Sequence, residues 1–254
     1  MKEIKLLLDE AILKYNTPAF IESDPISIPH KFSQKENIEI AGFLTATIAW
    51  GQRVSILKNA RRLMTLMWND PYRFIMEADD SDKLPLLDFC HRTFQASDLL
   101  YFITALRLIY ADEDGLEAVF SRFFDQTGSI EGSLIRFHEL FFSLEHPQRT
   151  RKHLANVSAG ASAKRLNMFL RWMIRNDNCG VDFGIWKEIP SSALYIPLDL
   201  HTGNVARKLG LLNRNQNDWK AVAELTSRLR EFDVRDPIKY DFALFGLGVF
   251  EGWK

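Results

Sequence analysis

The chain has 254 residues, of which 46% are hydrophobic, and this length fits one large domain or two small interlocked ones. Its 32 basic and 33 acidic side chains give a net charge of −1. This balance excludes a polycation that would bind nucleic acid over its whole surface. A nucleic-acid partner would therefore have to meet a local basic patch.

Signals for cofactors and membranes are weak. The two cysteines, Cys90 and Cys179, do not form a Cys-x-x-Cys motif, so we expect no metal ion, no iron–sulfur cluster and no other cofactor. No run of 18 apolar residues occurs, and the first residues lack the pattern of a signal peptide. We therefore expect a cytoplasmic protein that has no membrane partner.

Hydrophobic residues recur at helical spacing over almost the whole chain. A first helix ends near Asn16, and the three prolines of residues 16–35 predict an extended loop over the surface. Residues 36–50 are apolar on nearly every side, which is typical of a central, buried helix. Further helices are predicted at 54–67, from Asp70 onward, and at 97–111, 115–124, 130–144, 163–175, 200–209, 218–232 and 237–250.

Residues 146–161 and 176–197 are rich in proline, glycine and polar side chains. The first segment is predicted to be a loop or a short helical turn, and the second is predicted to be irregular. Neither strand alternation nor an internal repeat is evident. The predicted fold class is all-α.

Two of these helices are predicted to begin beside a charged residue. Lys164 follows Ser162, the predicted cap of helix 163–175. The helix dipole and the neighbouring Arg165 disfavour a cation there, and the neutral amine is the nucleophilic form. The ordinary alternative is a solvated surface lysine. Asp199 is a good helix cap in its own right, and a cap carboxylate can also stabilise a developing cation.

Lys164 lies in a basic segment, residues 146–176, which contains lysines and arginines but no acidic residue. Lys164, Arg171 and Arg175 fall on one helix face. The segment either contacts phosphates or forms an ordinary solvated surface. Its lysines and arginines are Arg149, Arg151, Lys152, Lys164, Arg165, Arg171 and Arg175.

The segment Gly51-Gln52-Arg53 lies at the junction of two predicted helices. A glutamine at such a junction can reach a base edge in a nucleic-acid groove. Its commoner role is to satisfy backbone groups of the turn, and both interpretations remain open.

These segments resemble parts of the helix-hairpin-helix superfamily of base-excision DNA glycosylases. Gly160, Lys164 and Asn167 match the first glycine, the lysine and the asparagine of the hairpin Leu-Pro-Gly-Val-Gly-x-Lys-x-Ala-Asn, while Ser162 replaces its second glycine. Residues 198–205 resemble the segment Val-Asp-Thr-His-x-x-Arg-Val, and residues 240–246 resemble the closing helix. The motifs at 164–172 and 196–201 also resemble those of an uncharacterised bacterial family of about this length.

The resemblance implies one helical unit over residues 1–254, with two interlocked subdomains and a DNA-binding cleft between them. The first subdomain would span 36–160. The second, with hairpin-like and closing helices, would span 161–254, and residues 1–16 would pack on it.

The implied function is that of a DNA glycosylase, with or without lyase activity, that flips a damaged base out of the duplex. Lys164 would attack the sugar, and Asp199 would stabilise the cationic transition state. The implied DNA contacts are Gln52, Arg53, Arg149, Arg151, Lys152, Arg165 and His201. Two alternatives stay open: a non-catalytic helical module that binds nucleic acid or protein, and an enzyme that uses the same Lys–Asp pair on another small substrate.

Overall fold

The computed structural model describes residues 1–253, and helices dominate these residues. The all-α prediction is therefore confirmed. The chain folds into two compact units, of which one contains Met1–Glu22 and the chain from Asn156 onward, and the other contains Ser23–Ala155. No helix in residues 1–253 combines the length and the apolar character that a membrane span needs.

The unit of residues 23–155 is built around one buried helix. Helix α3 is buried at every position from Asn37 to Thr47, as its apolar surface predicts. Its Phe43 ring contacts Phe102, Phe137 and Phe141 of other helices. The helices of this unit are α3 (Lys35–Thr47), α4 (Arg53–Leu66), α5 (Pro71–Glu77), α6 (Asp80–Lys83), α7 (Ala96–Asp112), α8 (Leu116–Thr127) and α9 (Ile130–Phe141).

Short elements connect these helices. A two-stranded antiparallel hairpin pairs β1 (Cys90–His91) with β2 (Phe94–Gln95). One-turn 3₁₀ helices lie at Pro25–Ser27, Pro29–Lys31, Leu84–Asp88 and Gln148–His153. The last of these agrees with the short helical turn that was one of the two predictions for residues 146–161.

The unit that contains both ends of the chain is organised around its last helix. It comprises α1 (Lys2–Tyr15), α10 (Lys164–Ile174), α11 (Leu200–Lys208), α12 (Trp219–Phe232) and α13 (Tyr240–Phe250), with 3₁₀ turns at Ser191–Ala193 and Pro237–Lys239. A short helix, α2 (Ala19–Ser23), follows α1. Gly246 of α13 lies against the Tyr15 ring of α1, and Gly248 lies against Val205 of α11. The two glycines let both neighbouring helices approach α13 closely.

The predicted surface loop over residues 16–35 is wrong. The segment contains α2 and two 3₁₀ turns, and the Ile26 and Ile28 side chains are fully buried. Asp24 caps the first turn by accepting a hydrogen bond from the Ile26 N–H. The prolines begin tight turns, and the isoleucines between them supply the apolar surface that holds the segment in the core.

The predicted starts of two helices are also wrong. The helix predicted at 97–111 is α7, which begins at Ala96 with Gln95 as its N-cap, because the Asp98 side chain reaches back to the Gln95 N–H at 2.9 Å. Helix α10 begins at Lys164 without a side-chain cap. Ser162 does not cap it, because Ala163, which would then be the first helical residue, has φ +50° instead of the negative φ of a right-handed helix.

Candidate active site

The start of α10 is fixed by backbone contacts of the segment before it. Gly160 and Ala163 both have positive φ values, +84° and +50°, which turn the chain sharply before the helix. The Trp219 N–H donates to the Gly160 carbonyl at 3.0 Å, and Ala161 forms an isolated antiparallel bridge with Asp218. These contacts tie the start of α10 to the start of α12. Lys164 is the first residue of α10.

Asp199 is the N-cap of α11, and this prediction is confirmed. Its Oδ1 accepts a hydrogen bond from the Thr202 N–H at 2.9 Å. The Asn217 side chain donates to the Asp199 carbonyl at 3.1 Å, and Leu198 just before the cap is buried. One oxygen of the carboxylate is thus held by the helix, while the other is available to a further group.

The structure brings Lys164 and Asp199 together. The Lys164 Nζ lies 3.6 Å from the Asp199 Oδ2, with 30% of the lysine side chain and 18% of the aspartate side chain exposed. This distance is an ion-pair contact but exceeds the length of a good hydrogen bond. Both groups are therefore positioned, accessible from solvent, and able to engage a third group.

Two turns further along α10, Arg171 is buried between two carboxylates. Its Nε donates to Asp182 at 3.1 Å, and its Nη1 donates to Asp241 at 2.5 Å. A single guanidinium therefore serves two buried aspartates, one from the irregular segment after α10 and one from α13.

Arg175 continues this arrangement at the end of α10. It donates to Asp182 at 3.0 Å, to Asp177 at 2.6 Å and to Asp236 at 3.0 Å. The hypothesis that Arg171 and Arg175 extend a solvated basic face from Lys164 is wrong. Both guanidinium groups are buried by acidic partners that lie outside the basic segment in the sequence.

Burial affects the charge states around the pair. Burial raises the pKa of Asp241 to about 6, against the lowering effect of Arg171, while the charge of Asp199 raises it further and the charge of Lys164 lowers it. Burial also raises the pKa of Asp182 despite its two arginine partners. Burial lowers the pKa of Arg165, which is half-buried beside Lys164, to about 10.

Arg149, a predicted DNA contact, lies within a structural cluster. Its Nη1 donates to the fully buried Asp98 at 2.7 Å, and its Nη2 donates to the Thr93 carbonyl at 2.8 Å. The Thr150 hydroxyl donates to the other oxygen of Asp98 at 2.8 Å. These bonds anchor the 3₁₀ turn Gln148–His153 to the start of α7.

The other predicted DNA contacts differ in exposure. Arg151 contacts His146 at 3.2 Å and lies over the Phe142 ring, whereas Lys152 is exposed. Gln52 occupies the N-cap position of α4, is exposed, and makes no capping hydrogen bond.

Arg53 follows Gln52 in α4 and is half-buried, and His201 is exposed in the first turn of α11. Lys164, Arg165, Asp199 and His201 belong to the unit that contains both chain ends, and the remaining predicted contacts belong to the unit of residues 23–155. The DNA-contact role of all these residues stays a prediction.

The sequence-based prediction of the site did not include Asp241, although the pattern around this residue indicates a special role. It is the one charged residue of the otherwise apolar helix α13, and a carboxylate in such a helix indicates a buried ionic partner. In residues 1–253 no group of three or more histidine, cysteine, aspartate or glutamate side chains is placed to hold a metal ion.

A comparison with protein families assigns the chain to one of them. The model of the family described as "Protein of unknown function (DUF2400)" matches residues 24–250. The chain belongs to this family. The match includes Lys164, Asp199 and Asp241, and it confirms the predicted membership in an uncharacterised family. No curated protein and no solved structure matched the chain.

Proposed function

We propose that this protein is a DNA glycosylase with lyase activity, in which Lys164 is the nucleophile and Asp199 its stabilising carboxylate. One observation carries the proposal: the Nζ and Oδ2 atoms lie 3.6 Å apart although 35 residues separate the two positions in the sequence. A surface lysine and a helix cap with purely local roles would have no need to converge. The resemblance of residues 160–167 and 198–205 to glycosylase motifs supplies the substrate class.

The chemistry requires a neutral lysine amine. Its Nζ lone pair attacks C1′ of the nucleotide, the C1′–N bond to the base breaks, and the departing base keeps the electron pair and takes a proton. The amine transfers its own proton to the Asp199 carboxylate or to water. The nitrogen lone pair then forms a double bond to C1′ while the C1′–O4′ bond breaks and O4′ takes a proton, which leaves a Schiff base. Loss of a proton from C2′ then expels the 3′ phosphate with the electron pair of the C3′–O bond, and the strand is cleaved.

The position of Asp199 suits the cationic transition state. Its Oδ1 is held by the Thr202 N–H, so that Oδ2 stays directed at Lys164 without a change of rotamer. A charge that is already oriented stabilises positive charge developing at C1′ without reorganisation. Because the aspartate is partly exposed, a flipped-out nucleotide can reach the pair.

The exposed residues among the predicted contacts are the ones that would meet the DNA backbone. Lys152 is exposed and has room for a phosphate, whereas Arg149 is already bound to Asp98. Replacing Lys152 by glutamine would then reduce the dependence of log K on log salt by about one unit, because one fewer counterion is released.

Borohydride trapping tests the proposal directly, since borohydride reduces a Schiff base to a stable amine. DNA duplexes that carry an abasic site, 8-oxoguanine or one of a panel of other lesions are incubated with the wild-type protein, Lys164→Ala and Lys220→Ala. Lys220 is the control lysine, because it is exposed and, like Lys164, lies in the first turn of a helix, here α12.

We expect a covalent adduct with the wild type and with Lys220→Ala, and none with Lys164→Ala. The absence of an adduct on every lesion would overturn the lyase proposal. An adduct profile of Lys164→Ala equal to that of the wild type would overturn the assignment of the nucleophile.

A further inference from the structure

Asn217 contacts Asp199 directly, although it has no part in the reaction proposed above. Its Nδ2 donates to the Asp199 carbonyl at 3.1 Å, and the Gly203 N–H donates to the same carbonyl at 2.9 Å. The bond from Gly203 belongs to helix α11, whereas the bond from Asn217 comes from the segment before α12. The N-cap residue of α11 is therefore held from outside its own helix as well as from within it.

An arginine fixes the orientation of the Asn217 amide. The Arg207 Nη2 donates to the Asn217 Oδ1, and the Arg207 Nε donates to the Arg214 carbonyl at 2.8 Å. A guanidinium can only donate hydrogen bonds, so the amide oxygen must face Arg207 and the amide NH₂ group must face the Asp199 carbonyl. Gly203 leaves room for this arrangement, because a Cβ atom there would lie 2.9 Å from both the Arg207 Nη1 and the Asn217 Oδ1.

The two residues that follow contact the segment before α10. Asp218 forms the antiparallel bridge with Ala161. The Trp219 N–H donates to the Gly160 carbonyl at 3.0 Å, and the buried Trp219 side chain packs against the Tyr195 ring. Three consecutive residues thus contact the starts of both α10 and α11, which are the places where the two reacting groups lie.

We propose that Asn217 is a positioning residue of the Lys164–Asp199 pair: its amide holds the start of α11, so that the Asp199 carboxylate stays in contact with Lys164. The 3.6 Å between Nζ and Oδ2 exceeds the length of a good hydrogen bond, so the pair does not fix its own separation. The separation depends on where the two helices begin, and the segment 217–219 contacts both starts. The consequence for catalysis rests on the proposed function, whereas the positioning itself does not.

The positioning is measured first in the free protein, without DNA. A water-soluble carbodiimide activates a carboxylate, and an amine in contact with that carboxylate then displaces the urea and forms an amide without a spacer. Peptide mass spectrometry quantifies the Lys164–Asp199 cross-link relative to the Lys14–Glu251 cross-link, an ion pair of 2.7 Å in the same unit. The ratio of the two cross-links cancels effects on the whole unit, such as a general loss of stability.

Two variants separate the contacts of Asn217. Asn217→Asp keeps the acceptor for Arg207 but loses the donor to Asp199, and Asn217→Ala loses both. Asn215→Asp is the matched control, because it adds the same charge at an exposed position two residues away.

We expect the cross-link ratio to fall at least about threefold in both Asn217 variants, since small displacements of two reacting groups strongly lower their effective concentration. Asn215→Asp should keep the wild-type ratio. An unchanged ratio in either Asn217 variant would overturn the inference, and so would an equal fall in Asn215→Asp, which would attribute the effect to charge. Should Asn217→Ala not fold, Asn217→Asp decides by itself, because its side chain has nearly the shape of asparagine.

The second measurement is the single-turnover rate constant of adduct formation under borohydride, at saturating protein. Both Asn217 variants should form the adduct about tenfold more slowly than the wild type, because a misplaced carboxylate stabilises the transition state less well. Their affinity for DNA should stay unchanged. A merely structural role would reduce the fraction of protein that forms the adduct and would leave the rate constant of that fraction as in the wild type.

The two measurements separate the two proposals. If the wild type forms no adduct, the proposed function fails, and the cross-link ratios alone decide the role of Asn217. If the wild type forms the adduct and both Asn217 variants form it with the same rate constant, the inference fails while the proposed function stands.

Discussion

The Lys164 ammonium lies 3.6 Å from the Asp199 carboxylate, and each of the two groups stands at the start of a different helix. The two carboxylate oxygens of Asp199 contact different groups. Oδ1 caps α11 through the Thr202 N–H, and Oδ2 faces Lys164. A substitution that preserves the cap but removes the charge can therefore separate the structural role from the chemical one.

Asp199→Ala and Asp199→Ser should differ in stability but not in chemistry. Alanine removes the cap and should cost about 1 kcal/mol of unfolding free energy, whereas serine caps well and should cost much less. Both variants lose the negative charge, so both should lose adduct formation. Urea unfolding and borohydride trapping measure the two effects. Asp218→Ser, which alters the cap of α12, should keep the adduct, and an active Asp199→Ser would show that the charge is dispensable.

Asp98 should be one of the strongest single contributors to the stability of the unit of residues 23–155. Asp98→Ala removes the acceptor of the hydrogen bonds from the Arg149 guanidinium and the Thr150 hydroxyl, and hydrogen bonds to a charged group contribute about 1.5–3 kcal/mol each. The exposed Lys152→Ala should change stability by less than about 0.5 kcal/mol. Chemical denaturation compares the variants.

Arg149→Ala provides the complementary experiment. It should also destabilise the protein, because the buried Asp98 carboxylate then loses the Arg149 guanidinium and keeps only its neutral hydrogen-bond donors and the His153 ring at 3.3 Å. Unchanged stability combined with weakened DNA binding would contradict the structural role of Arg149 and would favour its predicted contact with phosphate.

Gly246→Ala should destabilise the contact between α1 and α13. An added methyl group would overlap the Tyr15 ring, and overpacking of this kind costs about 1–3 kcal/mol. Gly248→Ala should cost less, because its methyl group would approach His201 and Val205 at 3.1–3.3 Å. In a double-mutant cycle, Tyr15→Ala should relieve part of the cost of Gly246→Ala. Strictly additive losses would show that the ring and the methyl group do not collide.

Asp233 should contribute stability that depends on pH. Burial by itself would raise its pKa, but hydrogen bonds from Lys239 and from the Asp236 and Arg235 N–H groups hold the pKa at about 2, below the ordinary 3.8. A carboxyl whose pKa is lower in the folded state stabilises the fold above about pH 4, and this contribution is lost as the pH falls through 2.

Asp233→Asn should therefore be less stable than the wild type by about 1–2 kcal/mol at pH 6, after allowance for partial exposure. The difference should shrink toward zero near pH 2. Urea unfolding at pH 6, 4 and 2.5 measures it, and a difference that stays constant over this range would contradict the role of the charge.

Much of the fold could be predicted from sequence patterns, because helix formation and burial of a helix surface depend largely on residues close together in the chain. The continuous apolar surface of residues 36–50 requires burial wherever the helix packs, and α3 is buried accordingly. The prediction of a surface loop for the proline-rich segment 16–35 is wrong for the opposite reason. Its turns are local, but the burial of Ile26 and Ile28 depends on core surface that no local pattern displays.

The sequence by itself determined the helical class, the cap at Asp199 and the spacing of the motif residues around Lys164, since each depends on contacts within one or two helical turns. Only the tertiary structure decided which charges meet. The sequence pattern predicts an open basic face at Arg171 and Arg175, yet aspartates from other segments of the chain neutralise both guanidinium groups. Coulomb attraction acts through space rather than along the chain, so only the folded protein gives the distance between Lys164 and Asp199, whose joint role the resemblance implied.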